Sequence, residues 1–143
     1  MFDRPVRDVM EKSKALALSP DTTVRKAAEL MDQKKTGAAM VVDQESLIGI
    51  FTERDALFRV IACGLDPGTT RLVDVMTAKP QTVEPGASYG YALVMMQENG
   101  FRHAPVVENG KPIGIVSSRS AMDPELEEFV SEANRREYMR VGH

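Results

Sequence analysis

At 143 residues, with 43% hydrophobic and 27% charged side chains, the chain has an ordinary globular composition and the length to bury one compact core. A net charge of −3 argues against generic nucleic-acid binding, which needs a basic face, and no apolar run approaches a membrane span. The single Cys63 cannot form an intramolecular disulfide, and His103 and His143, far apart in sequence, give no zinc-ligand spacing. The opening Met1-Phe2-Asp3-Arg4-Pro5 has no apolar segment of the signal-peptide kind behind it, so the expected location is cytoplasmic.

Val6 to Met10 reads as a short amphipathic turn leading to the extended apolar segment Leu16-Ala17-Leu18. A helix follows, capped by Asp21 or Thr22, with Val24, Ala27, Ala28 and Met31 at i, i+3, i+4 and i+7 as its inward stripe. Gly37 ends the loop beyond it. Ala38 to Val42 is a strand, Asp43 to Ser46 a turn, and Leu47 to Phe51 the hairpin partner. The second helix, Glu53 to Cys63, turns Ala56, Leu57, Val60 and Ile61 inward, favours burial of Cys63 and ends at Gly64 as its C′ residue. The unit is β-α-β-β-α.

Leu65 to Thr70 is a short join, and the same unit begins again. Gln81-Thr82-Val83 is extended, a helix turns Tyr89, Ala92, Leu93 and Met96 inward, and Ala104 to Val107 pairs with Pro112 to Val116 across an Asn109-Gly110 turn. A further helix starts near Ser118, and Asp123-Pro124 reads as the start of a last one, whose apolar face is Leu126, Phe129 and Val130. The nine methionines, Met95 and Met96 among them, read as core filler.

The junction Leu47-Ile48-Gly49-Ile50-Phe51-Thr52-Glu53-Arg54-Asp55 organises the chain. Its apolar run suits a strand buried on both faces, and Gly49 marks a close approach by a backbone or ligand. Thr52 is a favoured N-cap, and Asp55 falls in the first helical turn, where unpaired N–H groups and the helix dipole gather. Ile113-Gly114-Ile115-Val116-Ser117-Ser118-Arg119-Ser120 repeats it 65 positions later (114 − 49, 117 − 52 and 119 − 54). Val6-Arg7-Asp8-Val9-Met10 recurs as Leu72-Val73-Asp74-Val75-Met76 at an offset of 66, so one residue was gained or lost between the blocks.

Two such units, each preceded by an Asp-Val-Met turn and each ending in Gly-Ile-x-Thr/Ser-x-Arg, resemble a tandem pair of CBS domains over about residues 5–122. The resemblance implies an α/β (α+β) fold in which the repeats, residues 1–66 and 67–122, pack sheet to sheet about a pseudo-twofold axis, with a helical extension at 123–143. It also implies two related clefts for an adenosine-containing ligand such as AMP, ADP, ATP, NAD or S-adenosylmethionine, bound as a regulatory ligand and not as a catalytic cofactor. Carried onto this chain, Thr52 would meet a phosphate, with Arg54 beside it, and Asp55 would accept from both ribose hydroxyls. Thr77, Thr82 and the Phe101-Arg102-His103 loop would form the other wall, Phe101 packing on the base and Arg102 and His103 reaching phosphate. A lone His is equally consistent with a hydrogen-bonded interfacial histidine.

In the second cleft Ser117 keeps the hydroxyl and Arg119 the guanidinium, but Ser120 stands in place of the ribose-binding Asp; Glu11, Leu16, Thr36 and Gly37 would be its partners. Weaker adenosine binding is expected there, because a neutral hydroxyl replaces only part of a carboxylate's double acceptance. The chain carries no nucleophile–base pair, metal-ligand cluster or P-loop, so the expectation is a regulatory module and not an enzyme. The expected partners are the nucleotide, a second copy of the chain as homodimer, and an effector protein that the sequence does not name; membrane and nucleic acid are not expected. The competing reading is a dimerisation scaffold that needs no ligand.

Overall fold

The computed structural model describes residues 2–12, 15–121 and 132–133. A short 3-10 turn (Val6–Asp8) precedes β1 (Leu16–Leu18), α1 (Val24–Lys34), β2 (Ala38–Asp43) and β3 (Ser46–Thr52). Helix α2 opens at Glu53–Asp55 and continues in wider turns over Ala56–Ile61. Then come α3 (Leu72–Val75), β4 (Thr77–Ala78), α4 (Tyr89–Asn99), β5 (His103–Glu108), β6 (Lys111–Ser117) and a 3-10 turn (Ser118–Ala121). The extension at 123–143, with the expected face of Leu126, Phe129 and Val130, lies almost wholly outside the described residues.

Local chemistry sets the boundaries. Thr23, one residue beyond the expected caps, accepts the Lys26 N–H at 3.2 Å and starts α1; Ser88 does the same for Tyr91 at the start of α4. Both hairpins turn through two consecutive positive-φ residues, Gln44-Glu45 (49° and 70°) and Asn109-Gly110 (53° and 80°). That is the turn whose twist matches the strands, and only the second uses the residues that adopt it cheaply.

Strand β1 lies parallel to β2, and β3 runs antiparallel to both β2 and β4. The second unit repeats this plan around β5 and β6, with single bridges replacing the outer strands: Val83 pairs with Val106 as Leu18 does with Val41, and Glu11 pairs with Ile115 as Thr77 does with Ile50. Side chains alternate across each central strand. On β3, Phe51 enters the core of the first unit with Val24, Ala27 and Met31 of α1, while Ile50 points the other way to meet Ala38 and Ile115. On β6, Val116 enters the second core with Tyr89, Ala92 and Met96 of α4. The units therefore pack sheet to sheet, which is why Leu47–Phe51 lacks alternation in its sequence.

The two cores exchange their covers. Leu72 and Val75, from the turn that precedes the second unit, lie in the first core, and Val6, from the turn that precedes the first, lies in the second. Backbone bonds follow the exchange: Leu72 N–H donates to Thr22 O at 2.9 Å, and Val6 N–H to Ala87 O at 2.7 Å. Met76 lies against Gly49 and Met10 against Gly114, so both junction glycines make room for the methionine of a crossing turn.

Four inward assignments change. Ala28 of α1 is exposed, and among the apolar residues of α2 only Val60 is fully buried, while Leu57, Ile61 and Cys63 face out. The helix there is wound with i→i+5 bonds, such as Ala62 N–H to Leu57 O at 2.9 Å, so its faces drift from the 3.6-residue period.

A β-carbon at Gly114 would meet both the Met10 sulfur and the Glu11 carbonyl oxygen at 2.9 Å, whereas at Gly49 it would meet only the Met76 side chain. A flexible side chain can move and a paired backbone cannot. Gly114→Ala is expected to cost roughly 1–3 kcal/mol, and more than Gly49→Ala, in urea unfolding. Met76→Ala should relieve much of the Gly49→Ala strain; Met10→Ala should leave most of the Gly114→Ala strain in place.

Candidate functional site

Strand β3 ends on Thr52, and α2 begins there with a reciprocal cap. Thr52 Oγ1 accepts the Asp55 N–H at 3.3 Å, and Asp55 Oδ2 accepts the Thr52 N–H at 3.0 Å. The Thr52 hydroxyl also donates to the same carboxylate oxygen at 3.2 Å. Asp55 Oδ1 accepts from the Thr77 hydroxyl at 3.3 Å and faces Arg59 Nε at 3.5 Å. With 6% of its surface exposed, Asp55 is the one buried charged residue among those described. Three hydrogen bonds and one ion pair therefore reach the carboxylate, which is how burial of the charge is tolerated.

Thr77 arrives through the crossing turn, since β4 pairs it with Ile50 of β3. Arg59, one turn along α2 from Asp55, donates through Nη1 to Met76 O at 2.9 Å and Val75 O at 3.5 Å. The carboxylate is thus tied to its own helix, to β4 and, through Arg59, to the end of α3.

These groups open onto a cleft of about 1240 Å³ whose lining includes Thr52, Arg54, Asp55 and Thr77 on one side and Phe101, Arg102 and His103 on the other. Seven of the eight residues expected in the main cleft thus line one space. Thr82 does not; it is exposed, and its neighbours Lys79, Pro80 and Gln81 take that wall. The lining carries four cationic side chains, Arg54, Arg59, Lys79 and Arg102, against the carboxylates of Glu53 and Asp55, a balance that favours an anion. The Arg54 guanidinium sits 5.7 Å from the centre of the Phe58 ring, which holds it at the rim. Arg59 was not anticipated, although the i, i+4 spacing from Asp55 was a readable signal.

The residues expected around the second cleft are more scattered. Leu16 is packed in the first core, and Gly37 lines the main cleft with its backbone against the Glu53 side chain. Thr36 donates its hydroxyl to Ala38 O at 3.4 Å, and Glu11 exchanges backbone bonds with Ile115. Ser117 is half-buried, and its carbonyl accepts from the Tyr89 hydroxyl at 2.8 Å; Arg119 is exposed, and Ser120 lies in the turn Ser118–Ala121. Among the described residues no three His, Cys, Asp or Glu side chains converge as a metal-ligand set, and no helix is long and apolar enough to cross a membrane.

Fold and site define a class: two related α/β units joined by exchanged turns, with a charged cleft at their junction. The CBS domain model matches residues 6–62 and 72–124, and the chain belongs to the CBS domain family. It is 36% identical over 112 residues to the CBS domain-containing protein YhcV of Bacillus subtilis, covering 78% of this chain and 79% of that one. It is 32% identical to the Meiotically up-regulated gene 70 protein of Schizosaccharomyces pombe, over 85% of this chain but only 20% of the relative, so in such proteins it corresponds to about a fifth of the length. Among solved structures, an uncharacterized conserved protein from Pyrococcus horikoshii superposes with a TM-score of 0.77 at 29% identity, covering 84% and 90% of the two chains. PAE2072 from Pyrobaculum aerophilum, a CBS domain protein complexed with AMP, superposes with a TM-score of 0.76 at 20% identity, covering 90% of this chain and 99% of that one.

Burial holds the His103 proton affinity below its ordinary 6.5; Glu53 opposes this and Arg102 adds to it. The folded protein therefore binds this proton less tightly than the unfolded chain. Stability is expected to fall as the pH drops below 6.5 toward the lowered folded value, and His103→Gln should flatten that part of the profile. Chemical denaturation at several pH values reads the slope directly.

Proposed function

We propose that the protein is a regulatory module that binds an adenosine-containing ligand in the main cleft and passes its binding state to an effector protein. The observation that carries this reading is Asp55, buried at the floor of a cationic cleft between two related units. Its paired oxygens suit a ribose diol, and the helix start with Arg54, Lys79, Arg102 and His103 around it suits phosphate. Phe101 offers a face for the base. The AMP complex of PAE2072 supports the ligand class through the shared fold, and AMP, ADP, ATP, NAD and S-adenosylmethionine remain the candidates. The role is sensing and not catalysis, and the setting is the cytoplasm.

AMP at about 100 times its dissociation constant should stabilise the wild type by roughly 2.7 kcal/mol. Asp55→Ala also removes half of a helix cap, so the informative quantity is the increment on adding AMP to each protein, not the starting melting temperature. That increment should largely vanish in the variant. Equal AMP affinity for the two proteins in calorimetry would remove Asp55 from the site.

One observation favours a dimerisation role beside sensing. Leu57, Phe58, Ile61 and Leu65 are exposed apolar side chains along and beyond α2, the first two at the edge of the main cleft, with Ile61 68% exposed. A second copy pairing through these side chains under twofold symmetry would cover them. Light scattering should then give twice the 15.8 kDa chain mass at micromolar protein, and Ile61→Glu should return it to the monomer value.

A further inference from the structure

Three hydrogen bonds and the Arg59 ion pair already hold the Asp55 carboxylate, so a ligand that bonds Oδ1 competes with Thr77 and Arg59. The two bonds on Oδ2 belong to the reciprocal cap and hold the start of α2. On Oδ1 the Thr77 hydrogen bond is 3.3 Å and the Arg59 ion pair 3.5 Å, and both partners can move: a hydroxyl rotates in place, and the Arg59 side chain is 53% exposed. Arg59 also binds the carbonyl oxygens of Met76 and Val75, at the end of the turn that closes the first core and leads into Thr77.

We propose that Arg59 is an internal competitor for the diol site: it occupies Asp55 Oδ1, and a cis-diol ligand binds by expelling it. Expulsion does more than free the carboxylate. It breaks the link between α2 and the Val75 and Met76 carbonyls, so occupancy of the cleft changes how the crossing turn is held. Arg59 is a positioning and affinity-setting residue, and the cleft and the exchanged turn are coupled through one side chain. This inference rests on the reading of Asp55 as the ribose acceptor.

The test uses nucleosides, which exclude any effect of Arg59 on phosphate. Adenosine and 2′,3′-dideoxyadenosine, the latter lacking the diol, are titrated into the wild type, Arg59→Met and Asp55→Asn. Arg59→Met keeps the stem and removes the donors, and should bind adenosine roughly two- to fivefold more tightly than the wild type, the scale of a half-exposed ion pair. The dideoxy compound should show no such gain. Adenosine affinity equal to or below wild type in Arg59→Met, or the same gain with the dideoxy compound, overturns the proposal while leaving Asp55 as the acceptor. Adenosine binding that is absent, or identical in the wild type and Asp55→Asn, overturns the reading beneath it and the proposal with it. Thermal unfolding without nucleoside of the wild type, both variants and their double mutant supplies an independent arm. Non-additive losses support the Arg59–Asp55 pair, and additive losses overturn it. Arg59→Leu, which also lacks a donor, carries the same expectations should the Met variant fail to fold.

Discussion

The crossing of the two turns is the constraint from which the rest follows. Each unit buries its apolar face only because the other unit's leading turn covers it, Leu72 and Val75 on one side and Val6 on the other. A glycine sits on each central strand because a methionine of the crossing turn occupies the space a β-carbon would take. Neither half of the sequence closes its own core, so the halves fold as one body. The same crossing carries Thr77 to Ile50 and so to Asp55, which means that the polar site is assembled by the packing that stabilises the fold.

The site inherits its electrostatics from that arrangement. A carboxylate 6% exposed would be costly without partners. Asp55 obtains them from three places: its own cap at Thr52, the strand after the crossing turn at Thr77, and Arg59 on the next helical turn. Charge, cap and inter-unit contact are therefore one network. Arg59 links Asp55 to the carbonyl oxygens of Val75 and Met76, within the segment that covers the first core.

The repeat, the strands and the capping pair were legible in the sequence because each rests on local chemistry or on a comparison of the chain with itself, whereas the far wall of the cleft was an expectation from the family resemblance. Thr52 and Asp55 announce a helix start whatever surrounds them, and Asn109-Gly110 announces a turn. Gly49 was legible as a close approach, but the neighbour is Met76, and only the crossing of the turns supplies it. The outward face of α2 was not legible, since Leu57 and Ile61 satisfy an apolar period and the shift to i→i+5 bonding that helps turn them outward has no local signature. Strand β4 is two residues long and made by pairing, and Leu16, expected at a cleft wall, is instead held in the first core by its place on β1.

That slip and the substitutions around it make the two sides of the molecule unequal. From Glu11 to Leu18 the chain takes seven steps, whereas the equivalent path from Thr77 to Val83 takes six, and the shorter path carries Lys79, Pro80 and Gln81 along the main cleft. Where that cleft has Phe101, Arg102 and His103, the equivalent loop has Thr36, Gly37 and Ala38; where it has Asp55, the equivalent junction has Ser120. The aromatic face, two basic groups and the carboxylate stand on one side, and small or neutral residues stand at the equivalent positions on the other. The backbone preserves its twofold pattern because the exchanged turns and buried strands require it, while the charges in the clefts are under no such requirement. Among the described residues the repeated fold therefore gathers its buried charge into the cleft on one side, with the second unit supplying the far wall.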